Sequence, residues 1–128
     1  MSQDFFEISF DKYHGCGNDF IIIDEFDGEV VPERLKASVS RALCRRRFSI
    51  GANDILYVCP STIADARMRV IDPDGSEADM CGNGIRCVAA YLCSRLKRDS
   101  LSIETRAGIK LVNRIGIAYR VDMGRLIY

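Results

Sequence analysis

The residues best suited to chemistry lie in one short run, Met80-Cys-Gly-Asn-Gly84, followed by a long apolar-periodic segment. Ile85, Val88, Ala89, Leu92 and Leu96 recur at helical spacing, which predicts a helix that begins near Asn83 and buries that stripe. Cys81 then sits at the helix mouth. Unpaired backbone N–H groups and the positive end of the helix dipole stabilise an anion there, whether a thiolate or a bound carboxylate. This placement predicts a thiol pKa below the free value of about 8.5 and a cysteine usable as a base. Glycine at 82 and 84 leaves room for a small carboxylate to approach those N–H groups. Nucleotide-phosphate loops also place glycines at a helix start, but here no lysine follows the last glycine and no strand runs directly into the turn. On residue types alone, a reactive cysteine and a structural glycine turn with a passive cysteine are both open.

Several elements must position that run. Phe6, Ile8 and Phe10 alternate with Glu7 and Ser9, predicting a strand with one buried face. Residues 19–24 are short, β-branched and bounded by aspartates, predicting a strand covered on both faces. The turn between them, residues 14–19, is rich in residues that tolerate positive φ and presents Asn18 at the end of the second strand. Pro32 suits a first helical turn; Leu35, Val39, Ala42 and Leu43 then keep the helical interval up to Arg45, Arg46 and Arg47, read as a solvated, dipole-compatible terminus rather than a phosphate site. Residues 54–59, 66–71, 101–105, 109–112 and 117–123 read as further strands, with turn chemistry at Asn53-Asp54 and at residues 72–75. With no linker, repeat or low-complexity segment, residues 1–128 are expected to form a single α+β domain in which strands surround or flank two helices.

Composition narrows the function classes. A chain of 128 residues suffices for one hydrophobic core, and 48% hydrophobic with 28% charged residues places it among globular rather than disordered chains. Lysine plus arginine equals aspartate plus glutamate at 18 each, so nothing draws in a phosphate backbone and nucleic acid is not expected as a partner. No apolar run comes near the roughly 20 residues of a membrane span, and no targeting segment opens the chain. A cytoplasmic location and no membrane partner are the expectation. Six cysteines without a secretory context argue against a disulfide framework; one histidine, His14, and no C-x-x-C pair argue against a metal. His14 is read as a structural turn residue, Cys87 and Cys93 as packing residues, and Arg86 as a brace of the helix mouth or a solvated side chain.

Three tracts, KYHGCGNDFIIID at 12–24, ARMRVIDPDGSEADMCGNGIRCVAAYL at 66–92 and YRVDMG at 119–124, resemble in order and spacing the amino-terminal half of diaminopimelate epimerases. The likeness runs from about Phe10 to the last residues. Proline racemases and related isomerases match the asparagine turn and Asn83 less well. The resemblance implies a mixed or antiparallel sheet curled around a central helix, one of two similar halves of the full fold. It implies inversion of an amino-acid stereocentre, LL- to meso-diaminopimelate in lysine and peptidoglycan-precursor synthesis, without cofactor or metal. One cysteine thiolate removes the α-proton and a second thiol on the opposite face donates one; a reaction that runs both ways needs an acid and a base that are chemically alike. On this resemblance Cys81 is the first of the two, Asn18 contacts the substrate, and the Gly82 and Asn83 amides cradle its α-carboxylate.

Two matched positions depart from the family pattern. Asp72 stands where the family generally has a substrate-contacting asparagine, and Asn53-Asp54 replaces the usual Asp-Gly or Asp-Gln. A carboxylate in place of an amide removes a donor and adds a charge that repels the acidic ends of diaminopimelate but favours an ammonium group. The second half and its cysteine are not in these 128 residues, so the lone chain is expected to be incomplete as an epimerase. The missing half would come from a longer parent chain, a partner chain or a second copy in a homodimer. The alternatives are a non-catalytic ligand-binding or assembly module and a related amino-acid racemase.

Overall fold

The computed structural model describes residues 8–15, 17–47, 49–115 and 118–122. A hairpin opens the fold: β1 (Asp11–Gly15) pairs with β2 (Asn18–Asp24) and closes at Gly15 and Asn18, with Gly17 at φ +83. The strand expected from Phe6 to Phe10 is not seen in its described part. Residues 8–10 lie outside any strand, Phe10 is exposed, and residues 6 and 7 lie outside the described residues. β2 stays paired with β3 as far as Asp24, whose carboxylate accepts the Phe26 N–H at 2.8 Å.

β2 is indeed covered on both faces. Phe20 and Ile22 join one core, Ile21 and Ile23 the other, and the same alternation splits Leu56 and Val58 from Ile55 and Tyr57 on β3 (Asp54–Cys59). Between these strands a 3-10 turn (Glu33–Leu35), with Pro32 as its N-cap, leads into α1 (Lys36–Leu43). Leu35, Val39 and Leu43 of the expected apolar face pack on the outer core, whereas Ala42 is exposed. The fully buried residues of α1 are polar, Lys36 and Ser40. Lys36 tolerates burial because Nζ pairs with Glu25 at 3.0 Å, donates to the Val31 carbonyl at 2.6 Å and lies 4.6 Å from the Tyr57 ring centre.

β4 (Ala66–Ile71), the short β5 (Glu77–Ala78), β6 (Ser100–Thr105), β7 (Gly108–Ile115) and β8 (Ala118–Asp122) complete a sheet of order β1-β2-β3-β4-β6-β7-β8, with β5 added to β4. The β2–β3 and β4–β6 pairs are parallel and the rest antiparallel. This sheet curls around α2 (Gly82–Leu96), which lies against β1, β2, β3, β6, β7 and β8. Ile85, Val88, Ala89 and Leu92 are fully buried between helix and sheet, each of the larger ones worth roughly 1.5–3 kcal/mol of transfer free energy, and Leu96 packs at the edge. The result is the expected α+β architecture, a mixed sheet around a central helix.

Candidate active site

Four chain segments converge where β2 and β3 begin, β4 ends and α2 starts. Phe20 lies beside Asp54 in the parallel pair, and Ile71 lies beside Ile55 in the antiparallel one, so Asn18, Asp54 and Asp72 come to one edge of the sheet. Reciprocal bonds lock the two strand starts together: the Asp19 N–H donates to Asn53 Oδ1 at 2.9 Å and the Asn53 N–H to the Asp19 carbonyl at 2.8 Å. Asp72 is held from the helix side, its carbonyl accepting the Ser40 hydroxyl at 2.7 Å while its N–H donates to the Ser76 carbonyl at 2.8 Å. The turn that follows requires Gly75 twice over. Its φ is +93, and a Cβ there would meet Arg41 and Ala37 at 2.6 and 2.9 Å.

That turn and β5 deliver Cys81 as the N-cap of α2. Its backbone is extended, and Sγ accepts the Gly84 N–H at 3.3 Å, occupying the place a capping hydroxyl or carboxylate usually fills. The two glycines differ in purpose. A Cβ on Gly84 would lie 3.0 Å from Sγ and 3.1 Å from Leu56 Cδ2, so close packing on β3 demands glycine, whereas a Cβ on Gly82 would meet open space. The approach to the helix mouth is therefore clear on the Gly82 side. Asn18 and Asn83 are half-buried at this edge.

The electrostatics of Cys81 run against the sequence expectation. Burial is the largest influence and pushes the thiol up; the Gly84 and Asn83 N–H groups pull it down, but Asp54 and Asp72 push it up again, and the net direction is upward. A half-buried anion beside two carboxyls loses more hydration and gains more repulsion than the helix mouth offsets. Cys81 therefore rests as a thiol near neutral pH. Asp54 is itself pushed up to about 7, first by burial and then by the hydrogen bond to, and charge of, Asp72.

Next to this pair stands a charged cluster that sequence reading missed. Arg46 grips Asp19 with two hydrogen bonds of 3.0 and 2.6 Å, donates to Asn53 Oδ1 at 3.2 Å, and is joined by Lys12 at 3.1 Å. Arg46 is exposed, as expected of a solvated terminus, but it also reaches Asp19 because the segment after α1 returns to the start of β2. Ser40, which anchors Asp72, was also missed; its polar character gave no sign that it points inward. Elsewhere, His14 lies exposed on β1, Arg86 is exposed on α2, Cys87 and Cys93 are buried in the helix–sheet core, and Cys44 is buried in the outer core. Cys16 lies outside the described residues. Among the described residues, no three His, Cys, Asp or Glu side chains come together to hold a metal, and no helix is long and apolar enough to cross a membrane. A surface depression of about 310 Å³, lined by Asp65, Arg98, Ser100 and Asn113 among others, lies near the carboxyl end of α2 and contains none of the candidate residues.

A thiol at a helix mouth, an open approach and a carboxyl with a raised pKa beside it are the chemical features of this edge. Comparison with known proteins gives the family. The chain is 48% identical over 123 residues to the diaminopimelate epimerase of Methanothrix thermoacetophila and 47% identical over 122 residues to that of Archaeoglobus fulgidus, covering 92% of this chain and 44% of each relative. It spans less than half the length of these relatives. Among solved structures, a phenazine biosynthesis protein of the PhzF family from Bacillus anthracis superposes with a TM-score of 0.59 at 28% identity, over 83% of this chain and 34% of that one. A hydroxyproline epimerase from Agrobacterium vitis gives 0.57 at 14%, over 84% and 37%, a likeness of fold alone. The diaminopimelate epimerase family profile matches residues 10–128, nearly all of the sheet and the whole of the helix mouth, and the chain accordingly belongs to the diaminopimelate epimerase family.

Proposed function

We propose that this chain supplies one face of the proton-transfer site of a cofactor-independent amino-acid epimerase acting on diaminopimelate, with Cys81 as its acid and base. The carrying observation is the thiol of Cys81 at the N-cap of α2, beside the open approach at Gly82. A substrate α-carboxylate would dock on the Gly82 and Asn83 amides, leaving the α-carbon beside Sγ. As the α-proton leaves, charge builds on that carboxylate, where N–H groups at the helix mouth stabilise it. In one direction the thiolate takes the proton; in the other the thiol returns one. The resting thiol is the donor form, so the base role requires Cys81 to ionise first. Asn18, Asp54 and Asp72, at the same edge, are the side chains proposed to contact the substrate.

The opposing acid is proposed to be a second cysteine on a half of similar build, in a longer chain, a partner or a second copy. Cys87 and Cys93 are poorly suited to replace it, being buried along α2 itself. Incubation with LL-diaminopimelate in deuterated water, followed by proton NMR, tests the reading. Cys81 should exchange the α-proton for deuterium, and C81S should lower that rate by roughly 10²–10⁴-fold. Inversion to the meso isomer should appear only when a second half is supplied. Absence of exchange under both conditions would overturn the reading in favour of ligand-binding or assembly duty.

A further inference from the structure

Ser40 lies inside α1 and is fully buried. A serine within a helix usually faces solvent or bonds back to the carbonyl one turn earlier. Here its hydroxyl crosses 32 positions to donate to the Asp72 carbonyl at 2.7 Å, with the Ile71 carbonyl at 3.4 Å and Cys44 Sγ at 3.7 Å beside it. Arg41, the next residue, reaches the other end of the same turn, Nη1 donating to the Asp74 carbonyl at 3.2 Å. Gly75 closes on this helix so tightly that a Cβ would lie 2.9 Å from that of Ala37. Within the turn the Gly75 N–H donates to the Asp72 carbonyl and the Asp72 N–H to the Ser76 carbonyl, both at 2.8 Å.

Asp72 is the first residue beyond β4, where the ladder no longer fixes the backbone. Pinning its carbonyl from α1 fixes that peptide plane, and with it the direction in which the carboxyl leaves the chain. Past the turn the chain is held by other means. Glu77 and Ala78 pair with β4, Arg106 donates to the Glu77 carbonyl at 3.0 Å and pairs with Asp79 at 3.2 Å, and Cys81 caps α2. The hold of α1 is thus on residues 72–75, while Cys81 has anchors of its own.

We propose that Ser40 and Arg41 are positioning residues that clamp the turn at residues 72–75 onto α1 and so aim Asp72 at the ligand, without a part in proton transfer. This rests on the site reading above for what Asp72 touches, and adds two residues that lie outside the set proposed to contact substrate. With the clamp released, Asp72 must be ordered on binding, which weakens affinity and leaves the chemistry at Cys81 in place.

Amide hydrogen exchange of the full chain, read by NMR without ligand, tests the clamp. S40A removes the hydroxyl and keeps a strong helix former in α1. The Asp72 and Gly75 amides should then exchange roughly fivefold to tenfold faster, the change that one lost hydrogen bond produces. The Glu25 amide, bonded to the Val58 carbonyl at the other end of β2 and β3, should keep its rate. R41A, at an exposed position, should speed the same two turn amides about twofold and decides the matter if S40A does not fold. With LL-diaminopimelate in deuterated water, S40A should raise the half-saturating concentration by roughly fivefold to tenfold and leave the saturating α-proton exchange rate within about twofold. Unmoved turn amides in both variants overturn the proposal, as does a Glu25 amide that accelerates equally, the mark of a merely structural serine. A half-saturating concentration that does not move overturns it too, whatever the saturating rate does. A parent chain that exchanges no α-proton would refute the epimerase reading, while the amide rates would still decide the clamp.

Discussion

Asp19 and Asp54 occupy the same sheet edge at the starts of neighbouring parallel strands, yet they titrate in opposite directions. Both are partly desolvated, which by itself raises a carboxyl pKa. At Asp19 the forked grip of Arg46, helped by Lys12, overwhelms that cost and holds the carboxyl well below the usual carboxylate range. At Asp54 the neighbour is another carboxyl, so desolvation and repulsion add. Burial therefore does not separate a bracing charge from a reactive one; the sign of the nearest partner does. The matched site ties the segment after α1 to β2, while the unmatched one stays electrostatically strained.

Substitutions can break this contrast in a graded way. The largest stability effect is expected for D19A, which strips Arg46, Lys12 and the strand start of their shared acceptor; urea unfolding at pH 7 should show a loss on the order of 2 kcal/mol. Because the folded-state pKa of Asp19 is depressed, its contribution is present above the unfolded value near 4 and is lost as pH falls through the folded one. The difference between D19A and the parent should therefore shrink below pH 4. Asp54 has the opposite sign. Its folded pKa is raised, so the bound proton stabilises the fold below about pH 4 and that contribution disappears as pH climbs to about 7. D54N, which mimics the protonated form, should match the parent in thermal melts at pH 4 and exceed it at pH 8, by roughly 1 kcal/mol after allowance for solvent screening. An advantage at pH 4 that vanished at pH 8 would reverse the assignment. The smallest change is expected for K12A, whose partly exposed pair with Asp19 should contribute no more than about 0.5 kcal/mol in the same urea experiment.

Much of the scaffold was legible because one-dimensional period maps directly onto burial. The stripe from Ile85 to Leu96 foretold α2, and the β-branched run after Asp19 foretold a strand with both faces covered. The motif at residues 80–84 likewise located the helix mouth to within a residue. What escaped was set by chain return rather than by period. Arg46 meets Asp19 across 27 positions only because α1 packs back onto the sheet, and Lys36 points inward only because Glu25 waits there. The meeting of Asp54 with Asp72 depends on the register of β3 against β4, and a slip of one residue would send one carboxyl to the opposite face. Their types were visible in the sequence; the burial of Cys81, which with the added push of both carboxyls raises its pKa against the expected direction, was not. Residues 8–10 of the strand expected across Phe6 to Phe10 lie outside any strand for a related reason, since alternation signals a strand only where a partner strand continues alongside.

Because the sulfur of Cys81 also caps its helix, the proposed reagent and the clasp are one atom. An electrophile that captured it would remove an acceptor from the first turn of α2 while crowding the spot where Gly84 already admits no extra carbon. Covalent inhibition at this position should thus be felt twice, as lost chemistry and as a loosened helix start, and a melting curve would register the modification without any substrate present.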